Sequence, residues 1–110
     1  MKLPNVARAS VDIAKLRDYC LNSTHPEGRH KARVFHSALG ISSGDAEFLR
    51  QAILDAVAKA DAVAEDSDDY GARYLVDFEL EREGKQATIR TVWIVRRSED
   101  FPRLLTCYVQ

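Results

Sequence analysis

In residues 72–80 apolar and charged side chains alternate. Ala72, Tyr74, Val76, Phe78 and Leu80 fall on one side, and Arg73, Asp77, Glu79 and the following Glu81 on the other, with Leu75 the exception. A period of two sends successive side chains to opposite faces of a strand. This segment therefore commits the C-terminal half to an antiparallel sheet with one face buried and one in water. Arg82-Glu83-Gly84-Lys85 follows at once and predicts a hairpin loop. Residues 87–96, rich in Thr, Ile, Val and Trp, form the returning strand. Ser98-Glu99-Asp100-Phe101-Pro102 turns the chain into a third strand over residues 103–109, and Ala62-Val63-Ala64 offers a short edge strand ahead of them.

The strand at residues 87–96 departs from the one-face rule. Ile89, Trp93 and Val95 point one way, while Val92 and Ile94 share the other side with Thr88, Arg90 and Arg96. Such a strand is expected mid-sheet and covered on both sides. Arg90 then either pairs with a carboxylate such as Asp77 or reaches a ligand phosphate.

The first half carries a helical period instead. Ile13, Leu16 and Cys20 recur at i, i+3 and i+7, behind a cap at Asp12 or Ser10. That helix ends at Leu21-Asn22-Ser23-Thr24, ahead of Pro26. A second helix is expected over residues 28–39 with Ala32, Phe35, Ala38 and Leu39 inward. Gly40 supplies its left-handed cap and Ile41 folds back. Ser42 or Ser43 opens a third helix, whose stripe is Ala46, Leu49, Ile53, Ala56, Val57 and Ala60. The expected class is α+β: about three N-terminal helices followed by a three- to four-stranded antiparallel meander.

At 110 residues, 45% hydrophobic and 30% charged, the chain is sized for one domain, residues 1–110, with one core. The same composition excludes collagen-like, low-complexity and fully disordered classes. No run approaches the roughly 18 apolar residues of a membrane span. Met1-Lys2-Leu3-Pro4-Asn5 holds no apolar secretory segment, and two cysteines, Cys20 and Cys107, are too few for a disulfide scaffold, so the cytoplasm is the expected address. Glu65-Asp66-Ser67-Asp68-Asp69 places four acids in five residues, which predicts the most mobile stretch.

The net charge of −1 hides an asymmetry. Residues 1–40 carry seven basic and three acidic side chains, residues 41–81 three and eleven, and residues 82–110 six and three. If the basic ends meet in space, they make a surface for phosphates; otherwise they are solvated faces. His25, His30 and His36 all lie in the first basic block.

That block reads His25-Pro26-Glu27-Gly28-Arg29-His30-Lys31-Ala32, followed by Leu39-Gly40. Tyr70-Gly71, Tyr74, Trp93-Ile94 and the tail Pro102-Arg103-Leu104, Thr106 and Tyr108 complete an ordered set. Together they resemble an uncharacterised bacterial domain family that includes C-terminal toxin modules of contact-dependent inhibition and other polymorphic toxin systems. The resemblance runs from about Leu16 to Tyr108. It implies a layout similar to the barnase, EndoU, colicin and RelE type of metal-independent RNase, with RNA as substrate, no cofactor and no metal. It also implies a cognate antitoxin or immunity-like partner and no membrane. Because the domain begins almost at Met1, a free intracellular protein paired with a neighbouring gene product is expected rather than a module of a secreted effector.

Metal-free RNA cleavage needs a base for the 2′-hydroxyl proton, an acid for the leaving 5′-oxygen, and donors for the charge on the phosphate. Histidine suits the proton steps, and lysine and arginine the charge. His25, on the loop before the second helix, is the candidate acid or base, or else a turn and capping residue. Gly28 permits close approach, and the N–H groups that open the helix would form an anion cradle with Lys31 inside it and His30 in the same turn. Arg103 and Tyr108 complete the catalytic set, Tyr108 by stacking a base. Thr106 and Arg90 join Gly28 and His30 as candidate phosphate contacts. The enzyme reading requires His25, Lys31 and Arg103 on one face. Against it stands a non-catalytic protein-binding module of a two-gene toxin–antitoxin-like system, docking through the acidic middle of the chain. The histidine spacing fits no helical zinc pair, and no nucleotide-binding glycine motif or complete EF-hand is present.

Overall fold

A computed structural model describes residues 1–110. Helix α1 is a single α-turn, Ile13–Lys15, that widens into a π-helical stretch over Leu16–Cys20. Helices α2 (Arg29–Leu39) and α3 (Ala46–Val57) follow. Strands β1 (Val63–Ser67), β2 (Gly71–Arg82), β3 (Lys85–Arg96) and β4 (Pro102–Val109) then form one antiparallel sheet in the order β1-β2-β3-β4. Helices first and a four-stranded meander after is the α+β layout that the two sequence periods predict.

The local signals act where expected. Asp12 caps α1 by accepting the Ala14 N–H at 2.9 Å. Gly40 takes φ +67°; its N–H donates to the His36 carbonyl, and that of Ile41 to the Phe35 carbonyl. Ser42 and Asp45 make a capping box, and a short 3-10 turn, Ser43–Asp45, leads into α3. Glu83 and Gly84 both take positive φ, 52° and 81°, as a two-residue hairpin turn between right-twisted strands requires.

The helices cover one face of the sheet. Leu16, Phe35, Leu39, Leu49, Ile53 and Val57 meet Val76, Ile89, Trp93 and Leu104 in one cluster. Thr91 is the one buried polar residue. Its hydroxyl donates to the Val76 carbonyl and accepts from Trp93 Nε1, both at 2.7 Å, so no polar atom is left unpaired in the core.

β3 lies mid-sheet, as its two apolar faces predict, but its second face is covered within the sheet itself. Arg90 sits between Asp77 and Tyr108, Val92 between Leu75 and Thr106, and Ile94 between Arg73 and Arg103. Long side chains on neighbouring strands do the work expected of a second layer. The acidic run spans an exposed strand and the turn behind it. Glu65 and Asp66 belong to β1, and Asp68 ties down the turn behind it. Asp68 Oδ1 accepts the Tyr70 and Gly71 N–H groups, and Oδ2 pairs with Arg73 at 2.6 Å.

Arg82 joins the two layers. Its Nη1 donates to the Gly40 carbonyl at 2.8 Å, and its Nη2 pairs with Asp45 at 3.1 Å. A cation at the α2 C-terminus is favourably placed against the helix dipole. Arg82→Ala is expected to cost about 1.5 kcal/mol, read as a lower urea midpoint with unchanged slope. An unchanged midpoint would show that the bridge contributes nothing.

Candidate functional site

The loop between α1 and α2 is organised by one side chain. His25 Nδ1 accepts the N–H groups of Glu27 and Gly28, each at 3.0 Å, and the His25 carbonyl accepts from Arg29. His25 thus ties down the turn that leads into α2, whose N-cap is Gly28. It occupies the N–H groups of Glu27, Gly28 and Arg29, which narrows the expected anion cradle to the N–H groups of His30 and Lys31 in the first turn. With Nδ1 an acceptor, the neutral ring carries its proton on Nε2. The ring stacks on Tyr19, centroids 4.9 Å apart and planes 10° from parallel. Gly28 allows this closeness, since a Cβ there would stand 2.1 Å from the Tyr19 carbonyl oxygen.

Lys31 projects from α2 into the same cluster. Its Nζ donates to Thr106 Oγ1 at 3.1 Å and to Tyr19 Oη at 3.4 Å. It lies 4.9 Å from the centre of the Tyr19 ring and 5.8 Å from that of Tyr108, both within cation–π range. No carboxylate pairs with it. Lys31 and Tyr108 open onto a cleft of ≈ 280 Å³ lined also by His30, Val34 and Val109.

Two thiols lie beneath. Cys20 Sγ is 3.7 Å from Thr106 Oγ1, and both Cys20 and Cys107 are free and buried. A hydrogen bond from Cys107 lowers the Cys20 pKa to about 6, helped by Thr106 and the charge of Lys31, while Cys107 is pushed up as the partner that keeps its proton. The β4 pairing thus brings together the two cysteines, which nothing in the sequence relates. In Cys107→Ala the donor is gone. The ultraviolet thiolate absorbance of Cys20 is then expected to appear at a higher pH than in the parent protein; an onset still at about pH 6 would assign the shift to Lys31 and Thr106 instead.

Tyr19 joins His25, Gly28 and Lys31, and Lys31 reaches Thr106 and Tyr108; His30 lines the same cleft and Arg90 lies opposite Tyr108, so only Arg103 is elsewhere. Arg103 makes a two-pronged pair with Glu99, 2.8 and 2.7 Å, and lies over the Phe101 ring. It starts β4, five residues and roughly 16 Å of strand from Tyr108. His25, Lys31 and Arg103 do not share a face. Arg90 is paired with Asp77 through two 2.9 Å bonds, the structural one of its two readings. His30 is exposed at the cleft rim.

Tyr19 and Cys20 were not marked as site residues by the sequence. The π-helical widening of Leu16–Cys20 sets where they point, and it has no signature in residue type; such widenings recur at functional sites. The only available signal was the aromatic Tyr19 next to the apolar stripe. The assembled group offers an ammonium, an imidazole N–H, a threonine hydroxyl and two aromatic faces. That set can hold a phosphate and a planar base. No cluster of His, Cys, Asp and Glu is arranged to hold a metal ion.

Comparison with known proteins gives two findings. A family model described as a domain of unknown function, DUF6883, matches residues 2–110. A chain of the structure titled contact-dependent growth inhibition toxin - immunity protein complex from Klebsiella pneumoniae 342 superposes with a TM-score of 0.69, covering 96% of each chain at 18% identity. At that identity the likeness is one of fold. No curated protein matches the chain by sequence.

Proposed function

The chain belongs to the DUF6883 family of domains of unknown function, and from that premise and the Lys31 cluster we propose a toxin-like, metal-independent RNase acting with a cognate immunity-like partner. The observation that carries the reading is Lys31 itself: a half-buried ammonium held by hydroxyls and aromatic faces rather than by a carboxylate, with the His25 ring stacked on the same Tyr19 that Lys31 contacts. The fold neighbour, a chain from a toxin–immunity complex, supports the same direction.

In this reading the 2′-oxygen of RNA attacks phosphorus and the bond to the 5′-oxygen breaks. A 2′,3′-cyclic phosphate and a 5′-hydroxyl result. The 2′-hydroxyl proton passes to water and the 5′-oxygen takes its proton from water, so that His25 acts as a hydrogen-bond donor and not as the acid. Lys31 Nζ binds a non-bridging oxygen as charge builds there, and His25 Nε2–H donates to the departing oxygen. Tyr108 stacks a flanking base. His25 thus serves as a donor held in place by the turn it ties down. The condition set by the sequence, His25, Lys31 and Arg103 on one face, is not met, because Arg103 is paired with Glu99 away from the cleft; Arg103 is therefore dropped, and the reading rests on Lys31 as the charge donor.

The test is inducible expression in a bacterial host, with growth and total RNA followed for the parent protein, His25→Ala and Lys31→Ala. Growth arrest with RNA fragments, relieved by either substitution, is expected. Normal growth with intact RNA would overturn the enzyme reading.

A further inference from the structure

A second concavity lies on the opposite flank of α2 from Lys31. It encloses ≈ 370 Å³ between α2, the end of α1 and the Ser42–Ser43 turn. Arg29, Arg33 and His36 line its α2 side, Ser43 faces them, and Leu21 and Ile41 form its floor. At 3.6 residues per turn, positions 29, 33 and 36 fall within an arc of roughly 60°. The three basic side chains are therefore a single ridge. Neither Arg29 nor Arg33 makes an ion pair, whereas Arg73, Arg82, Arg90 and Arg103 each pair with an acid. Asp45, the carboxylate of the adjoining turn, is turned away to Arg82 and to the Ser42 N–H. The lining holds no acid at all.

We propose that this groove is a second anion site, which holds backbone phosphates of an RNA strand laid across α2 into the Lys31 cleft. The inference rests on the RNase reading above and names where its substrate is gripped. Guanidinium forks match phosphate oxygens in pairs, and a serine hydroxyl adds a donor. Leu21 and Ile41, both buried, close the floor, so a bound strand meets the guanidiniums and the serine hydroxyls of the rim. A helix about 10 Å across separates the ridge from Lys31, so one strand can reach both.

The experiment measures fluorescence anisotropy of a labelled single-stranded 2′-O-methyl RNA oligonucleotide, which lacks the attacking hydroxyl and stays intact. The parent protein, Arg29→Ala/Arg33→Ala and the control Lys85→Ala are compared across salt concentrations. Cleavage of ordinary RNA is followed separately. Arg29 and Arg33 are exposed and hold no other element, so circular dichroism is expected to be unchanged. The double variant is expected to bind at least tenfold more weakly at low salt, with the slope of log affinity against log salt reduced by about 1.4, the loss of two phosphate contacts. Lys85→Ala is expected to match the parent. Unchanged affinity and slope in the double variant would overturn the groove while leaving cleavage, and so the RNase reading, standing. A parent protein that binds no RNA but captures polyglutamate would overturn both.

Discussion

Gly28→Ala is expected to destabilise the protein by about 3 kcal/mol, the upper range for a side chain forced into filled space. For a domain of this size that lowers Tm by roughly 15 °C. The backbone is not the reason, since Gly28 has φ −84° and ψ −15°, which alanine adopts freely. The obstacle is the Tyr19 peptide, its carbonyl oxygen 2.1 Å and its carbonyl carbon 2.9 Å from where the new methyl would sit. Both are backbone atoms and neither can rotate aside. The start of α2 must move away from α1, and the His25 ring leaves Tyr19 with it. Calorimetry reads the loss of stability, and the cleavage assay the loss of alignment. A Tm within about 3 °C of the parent would show that the two helices approach less closely than the geometry states.

Lys31→Met is expected to lower the single-turnover rate of RNA cleavage by about 10²- to 10³-fold, the usual effect of removing one donor aimed at developing charge. Methionine keeps an unbranched stem against the tyrosine rings, so folding is expected to persist. Arg103→Ala is the informative companion. The sequence placed it in the catalytic set, and its pairing with Glu99 at the far end of β4 predicts a rate within a few-fold of the parent. If Arg103→Ala fell as far as Lys31→Met, the site would have to extend along the whole of β4. If Lys31→Met kept most of its rate, the cleft would not be where the phosphate is held.

The elements were legible because each carries its own period or stop signal. The alternation around Val76 and the Glu83-Gly84 turn gave β2 and the hairpin, and Gly40 ended α2 where it was expected to. Half of the site was legible for a similar reason: His25 and Lys31 are close in sequence, on one helix entrance. The other half depended on how β4 lies against α2. There the sequence showed Thr106 and Tyr108 as an i, i+2 pair but could not show which end of the strand meets the helix. Arg103 was misplaced for want of that register, and Tyr19 went unmarked because a widened helical turn leaves no pattern in the residues. The role of His25 narrowed for a local reason: its Nδ1 serves the backbone, leaving only Nε2 for chemistry.

The edges of the sheet have a further effect. β1 is five residues long, exposed throughout, and falls out of register with β2 between Ala64 and Ser67. It presents Glu65 and Asp66 to any strand that would dock there. At the other edge, the start of β4 is bonded to Ser10, whose N–H donates to the Pro102 carbonyl and whose carbonyl accepts from Leu104. One edge is short, irregular and acidic, and the other is partly taken by the chain itself. Growth of the sheet from molecule to molecule, the route to fibrous polymers, therefore finds no flat apolar template at either side.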